Sequence, residues 1–154
     1  MALLVSLKND ETKPVLPQRF RQIELWANAY NFNPFTSTQF AANWGNLGSP
    51  WCTAGWVVNP FGKVESMGVV TFTGGILAAG SSTIFLTTLP TVIVPQTHHR
   101  FASMLGTGLA APNNTFAGIV DVLSTAQLRL VLGPATGNNP TVPLDGISYY
   151  PWQV

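Results

Sequence analysis

A chain of 154 residues, 46% hydrophobic and only 8% charged, is long enough for one domain with a real core and too short for two. A formal net charge of +1 supplies no field that would steer it to nucleic acid or to an anionic membrane. Its single cysteine, Cys52, excludes an intramolecular disulfide and reads as a small buried hydrophobe between Trp51 and Thr53.

The charges are unevenly spread. Lys8, Asp10, Glu11, Lys13, Arg19, Arg21 and Glu24 crowd the first thirty residues, leaving Lys63, Glu65, Arg100, Asp121, Arg129 and Asp145 for the rest. A soluble monomer normally protects its sheet edges and surface with charge. A β domain this poor in charge either hides surface against copies of itself, which is the expectation, or covers a monomer with neutral Ser, Thr, Asn and Gln. Membrane insertion is not expected. The uncharged stretch from Glu65 to Arg100 is broken by Gly68, Gly74, Gly75 and Gly80, so no apolar run of about 20 residues forms. Met1 to Leu7 is too short for a signal peptide and runs straight into Lys8,.

In chain order, Ala2 to Leu7 reads as an extended stretch followed by a polar turn that docks on something else. Pro17 suits a first helical position, and Gln18 to Asn31 contains no Gly or Pro, which predicts a short helix. Leu16, Phe20, Ile23, Ala27 and Tyr30 fall on a heptad seam. That seam suits either packing on the chain's own domain or a threefold helix contact, since two heptads do not hold a coiled coil alone. Asn33-Pro34 ends the helix. We therefore divide the chain into an N-terminal anchoring segment, 1–33, and a β domain, 34–154.

Beyond Pro34, prolines and glycines punctuate short β-branched and aromatic runs. Strands are expected at Ala54–Val58, Lys63–Thr73, Ser82–Leu86, Thr91–Val94, His99–Leu105, Thr115–Leu123, Gln127–Leu132 and Ile147–Tyr150. With no alternating β-α units, this pattern predicts an all-β fold, an antiparallel jelly-roll-like β-sandwich behind the N-terminal helix. One hairpin is legible in detail. A Ser124-Thr125-Ala126 loop sets Leu123 opposite Gln127 and Asp121 opposite Arg129. Val120, Val122, Leu128, Leu130 and Leu132 then share the core face. Ile119, Asp121, Leu123, Gln127, Arg129 and Val131 share the other, which with its one opposed ion pair suits a subunit interface.

Groups for catalysis are scarce. His98 and His99 are neighbours, and on a strand they point to opposite faces. The metal arrangement open to them is a cluster about a threefold axis, and the sequence contains no metal-ligand spacing of the familiar kinds. The acids form no poised pair of the glycosidase type: Asp121 is neutralised by Arg129, Asp145 lies in an Asp-Gly turn, and Glu65 follows Lys63 on one strand face. Gly74-Gly75 is a strand-linking turn with no helix after it to hold a phosphate. No catalytic residue, metal or cofactor is expected. Trp44, Trp51, Trp56, Trp152, Tyr149 and Tyr150 are the residues able to stack on sugar rings, with Trp44 and Trp56 assigned to the core and Trp152 able to cover a neighbouring subunit.

The order of several motifs resembles a β-sandwich domain found at the C-terminal ends of phage tail fibres, baseplate proteins and virion spikes. Asn43-Trp44-Gly45 opens the likeness. Gly62-Lys63-Val64-Glu65-Ser66-Met67-Gly68-Val69-Val70 is similar to the family's G-x-V-x-L-x-G-x-V strand. Thr83 to Pro90 looks like its Leu-Pro segment, and Leu144-Asp145-Gly146-Ile147-Ser148-Tyr149-Tyr150 its last strands. Val94 stands where many members have arginine, and Ser124-Thr125-Ala126 replaces the common Asp/Asn-Gly turn. The resemblance implies a homotrimer on the virion surface, made in the bacterial host's cytoplasm, docked on other virion proteins through its N-terminal segment and acting in host attachment. Its partner there would be a host surface glycan or protein. A capsid decoration or head-fibre protein fits the same sequence. A soluble carbohydrate-binding module is the alternative from a different class. None of the family's motifs marks a receptor-binding residue.

Overall fold

The computed structural model of the chain describes residues 31–107, 111–133 and 137–152. The helix expected over 17–31 and its seam lie almost wholly outside them. The described residues are all-β. Thirteen strands follow in order: β1 (Asn33–Pro34), β2 (Trp44–Asn46), β3 (Gly55–Val58), β4 (Val64–Met67), β5 (Val69–Phe72), β6 (Ile76–Leu77), β7 (Ser82–Leu86), β8 (His99–Thr107), β9 (Ala111–Leu123), β10 (Gln127–Leu132), β11 (Gly137–Asn138), β12 (Pro140–Pro143) and β13 (Ser148–Tyr149). Among the described residues the helical pieces are two 3-10 turns, Ser37–Gln39 and Thr91–Ile93, so none is long enough to cross a membrane.

Every described strand pairing is antiparallel. Seven strands form one sheet in the order β2-β5-β12-β8-β9-β10-β7, and β1-β3-β4-β13 form a second. The large sheet does not lie open as a jelly-roll leaf would. Its two ends approach where Phe40, just ahead of β2, bridges Leu86 of β7. The Ala41 N–H donates to the Phe85 carbonyl at 3.1 Å and the Thr87 N–H to the Gln39 carbonyl at 2.8 Å. The sheet is therefore nearly closed and barrel-like, which satisfies edge groups that would otherwise need water or a partner.

Alternation along the strands explains the core. β10 buries Leu128, Leu130 and Leu132 and turns Gln127, Arg129 and Val131 outward, the period-2 pattern of a half-buried strand. Trp44 packs against Phe72 and Phe85 with ring centroids 5.1 and 5.4 Å apart. One cluster gathers Ala54, Val64 and Tyr149 of the small sheet's side with Val70, Phe85, Leu105, Val120 and Val142 of the large sheet.

The two sheets share continuous chain. The single strand expected at Lys63–Thr73 is two, β4 and β5, in different sheets. The break is Gly68, at φ +89, where an added Cβ would stand 2.5 Å from the Thr53 carbonyl oxygen and 2.7 Å from Ala54 backbone. Only glycine fits both demands. The Asp145 carboxylate accepts the Gly68 N–H at 3.3 Å, so the Asp-Gly turn braces this corner. The run Thr91–Val94 is corrected from strand to 3-10 turn. Pro90 precedes it, Val92 is exposed, and only Ile93 points into the core, so it lacks a strand's alternation. Cys52 is exposed rather than buried, because it sits in the loop before β3 and not in a strand.

Candidate functional site

The long strands β8, β9 and β10 present a continuous outer face. The loop Ser124-Thr125-Ala126 joins β9 to β10, with Ala126 at φ +64 closing it. That loop fixes the expected register: Leu123 opposite Gln127, Asp121 opposite Arg129, Ile119 opposite Val131. Val120, Val122, Leu128, Leu130 and Leu132 are buried on the inner side as expected. On the far side of β9, β8 sets Arg100 opposite Asp121 and Ala102 opposite Ile119, while β7 sets Ile84 beside Arg129.

The ion pair read from the hairpin is part of a triad. Arg100 holds Asp121 with two bonds, Nε to Oδ1 at 2.7 Å and Nη2 to Oδ2 at 3.1 Å. From the other side Arg129 donates Nη2 to Oδ2 at 2.7 Å and Nε to the same oxygen at 3.1 Å. The Asp121 side chain is 3% exposed, against 62% for Arg100 and 35% for Arg129. The pair expected from the hairpin is present with a second arginine added, so the carboxylate is roofed by two guanidinium groups. Arg100's hydrogen bonds above all, with those of Arg129, hold the Asp121 carboxyl below its ordinary range against the opposing effect of burial,. The same bonds raise Arg100. With four N–H donors on two oxygens, Asp121 has no capacity left for acid-base work. What the triad does is lock three strands in register and set a net positive charge in the middle of the face.

Around the triad the face is apolar. Met104 is 62% exposed, Ala102 and Ala117 are exposed, and Ile84, Ile119 and Val131 are half-buried. Leu123 is buried yet stands apart from the main core cluster. Of the interface residues expected from the sequence, Ile119, Asp121, Arg129 and Val131 are brought together here. Leu16, Phe20, Ile23, Ala27 and Tyr30 lie outside the described residues. Arg100 is the member sequence reasoning missed, and the only signal for it was that it is the sole charge between Glu65 and Asp121.

The histidines part as expected, with different consequences. His98 is exposed. His99 faces inward, stacked on Tyr149 at 5.3 Å, and its Nε2 is buried with no hydrogen-bond partner among the described residues. Tyr149 is therefore not a surface aromatic. Its hydroxyl donates to the Ile93 carbonyl at 2.7 Å, and burial pushes its pKa up. Among the described residues no three His, Cys, Asp or Glu side chains converge as a metal site. Trp44 is buried, Trp56 packs on the core's margin, and Trp51 and Trp152 are exposed. Lys63 and Glu65 meet at 3.8 Å on the small sheet.

No family model, curated protein or solved structure matches the chain.

Proposed function

We propose that the chain is a non-enzymatic structural subunit of a bacteriophage virion, a tail-associated fibre protein displayed for host attachment and working as a homotrimer. Capsid decoration is the other placement of the same subunit. The observation that carries the reading is the outer face of β8, β9 and β10, apolar at Ala102, Met104, Ile119 and Val131 and pinned by a buried carboxylate between two arginines. An apolar sheet face interrupted by a single ion triad fits an interaction surface. The low charge of the β domain supports association between copies, because little repels them. In this reading the N-terminal segment, 1–33, docks on other virion proteins and its seam residues Leu16, Phe20, Ile23, Ala27 and Tyr30 meet at the trimer axis. The motif resemblance to fibre and spike domains supports the same assignment.

The test is solution mass by light scattering after gel filtration over a range of concentrations. A particle of three 16.5 kDa chains, about 50 kDa, that survives dilution is the expected result. A clean monomer overturns the trimer and leaves a soluble carbohydrate-binding module as the better reading.

A further inference from the structure

A second surface, on the small sheet, presents aromatic rings to solvent. The β3–β4 hairpin turns through Asn59-Pro60-Phe61-Gly62-Lys63. The Asn59 side-chain oxygen accepts the N–H groups of Phe61 and Lys63, both at 3.0 Å, and the Gly62 N–H donates to the Asn59 carbonyl at 2.8 Å. This rigid tip holds Phe61 69% exposed.

The run after β13 lies against it. Trp152 rests on Gly62 so closely that a Cβ there would stand 1.9 Å from the indole ring. Glycine at this point is a seat for a flat ring. The Pro151 carbonyl accepts the Gln96 N–H at 2.8 Å, anchoring the run from its other side. Trp152 nevertheless stays 55% exposed. Tyr150 stands 5.4 Å from it, inclined at 49°, so the two rings form an open angle and not a closed stack.

The polar groups beside the rings complete a recognisable chemistry. The register that sets Ser148 opposite Glu65 and Tyr149 opposite Val64 carries Tyr150 towards Lys63. Lys63 and Glu65 lie 3.8 Å apart and are each partly exposed. Asn59 reaches Glu65 at 3.4 Å. Together they offer donors and an acceptor with no net charge. A face of fixed, solvent-facing rings with a neutral donor-acceptor rim complements a ligand that has one apolar C–H face, a rim of hydroxyls and no charge. A plain apolar ligand would cover the partly exposed Lys63 and Glu65 without bonding them,.

We propose that Trp152, Tyr150 and Phe61 form a binding site for a neutral hexopyranose unit of a glycan. The sugar's C–H face stacks on the Trp152 indole, and its hydroxyls bond Lys63, Glu65 and Asn59. The attachment role of this site rests on the virion reading above; the sugar chemistry stands on the rings themselves.

The experiment titrates the full chain with neutral hexasaccharides of glucose, galactose, mannose and N-acetylglucosamine, read by indole fluorescence and calorimetry, alongside solution mass. Expected is saturable binding to one of the series. Trp152→Ala should weaken it at least tenfold and Trp152→Phe less. Trp51→Ala, at an exposed indole in a different loop, should leave it unchanged. Thermal midpoints equal to the parent's show that the variants are folded, and Phe61→Ala at the exposed tip serves if Trp152→Ala is not. No binding to any of the four overturns the sugar site, as does equal binding by Trp152→Ala and the parent. Loss of the oligomer in Trp152→Ala also overturns it, since the rings would then be covered by a second copy. Binding by a monomer upholds the site and removes the virion trimer; a trimer without binding does the reverse.

Discussion

Asp121 shows how little of a charge's role is visible from its sequence neighbours. The hairpin loop placed it opposite Arg129, and that pairing is present. The second arginine arrives from β8, across the 106–116 stretch, where Gly106, Gly108 and Pro112-Asn113-Asn114 offer several turn positions and so no single register to count from. The energetic consequence is large. A surface pair contributes roughly 0–1 kcal/mol, whereas a shielded carboxylate taking four N–H bonds costs on the order of 2 kcal/mol to replace with a neutral amide. The pH dependence follows from the sign of the shift. Asp121 titrates below its ordinary 3.8 in the folded chain. Its stabilisation is therefore whole above that value and is lost as pH falls through the lower, folded one. Asp121→Asn should lower the urea midpoint at about pH 7, and the gap from the parent should close as pH falls below the ordinary carboxylate range,. A gap that stays constant into acid would show that the ion triad contributes nothing. Because Arg129→Glu would set a second carboxylate beside Asp121, weakened assembly in that variant would mix fold damage with lost contact.

At the scale of elements, legibility followed turn chemistry. Gln127–Leu132 was legible to the residue through its apolar alternation and the loop before it, and Ser82–Leu86 through a β-branched and aromatic run that starts just after Gly80-Ser81,. Pro140–Pro143 was invisible, since two prolines in four residues argue against a central strand. The structure tolerates them because they stand at the strand's ends, leaving Thr141 and Val142 to pair inside it. The corner at Gly68 had one sign, a glycine inside a strand run,, but that glycine does not by itself tell a bend within one sheet from a change of sheet. Two glycines separate its causes. Gly68 and Gly146 have nearly the same φ, +89 and +88, but a Cβ at Gly146 meets nothing within 4 Å. Gly146→Ala should cost about 1 kcal/mol for backbone conformation alone. Gly68→Ala should cost on the order of 3 kcal/mol, adding the clash with Thr53 and Ala54. Chemical denaturation of both variants checks this, and equal losses would refute the steric role of the corner. The proposed sugar site was partly legible: Trp152 and Tyr150 were singled out, but Phe61, its tip and the Gly62 seat emerge only once β13 lies beside the β3–β4 hairpin.

For the whole molecule, the sequence's scarcity of charge pointed to association, and the proposed contact lies on the outer face of β8 to β10. Because the barrel-like sheet closes through Phe40 and Leu86, copies would meet through side-chain faces. Met104 is the sharpest probe of such a contact. It is exposed, lies on the outer face and belongs to no ion pair, so Met104→Glu should leave the folding stability within about 0.5 kcal/mol of the parent's. The same change should shift the mass from trimer towards monomer. An unchanged mass would remove the β8–β10 face from the interface.

The place of β12 in the large sheet sets a timetable for the chain. It stands between β5 and β8, yet it is translated after both and after the β9–β10 hairpin. Until it emerges, the nascent sheet is two fragments, β2-β5 and β8-β9-β10-β7, joined at the Phe40–Leu86 bridge and open at the gap that Thr141 and Val142 will fill. Gly106 is shaped for that late arrival, since a Cβ there would stand 2.4 Å from the Thr141 hydroxyl. Completion of the sheet thus waits until β12 has been made and depends on sequence-distant pairing, which makes it slow,. A chain cut before Pro140 should stay unfolded by circular dichroism, and adding the missing segment as a separate peptide should restore the strand signal.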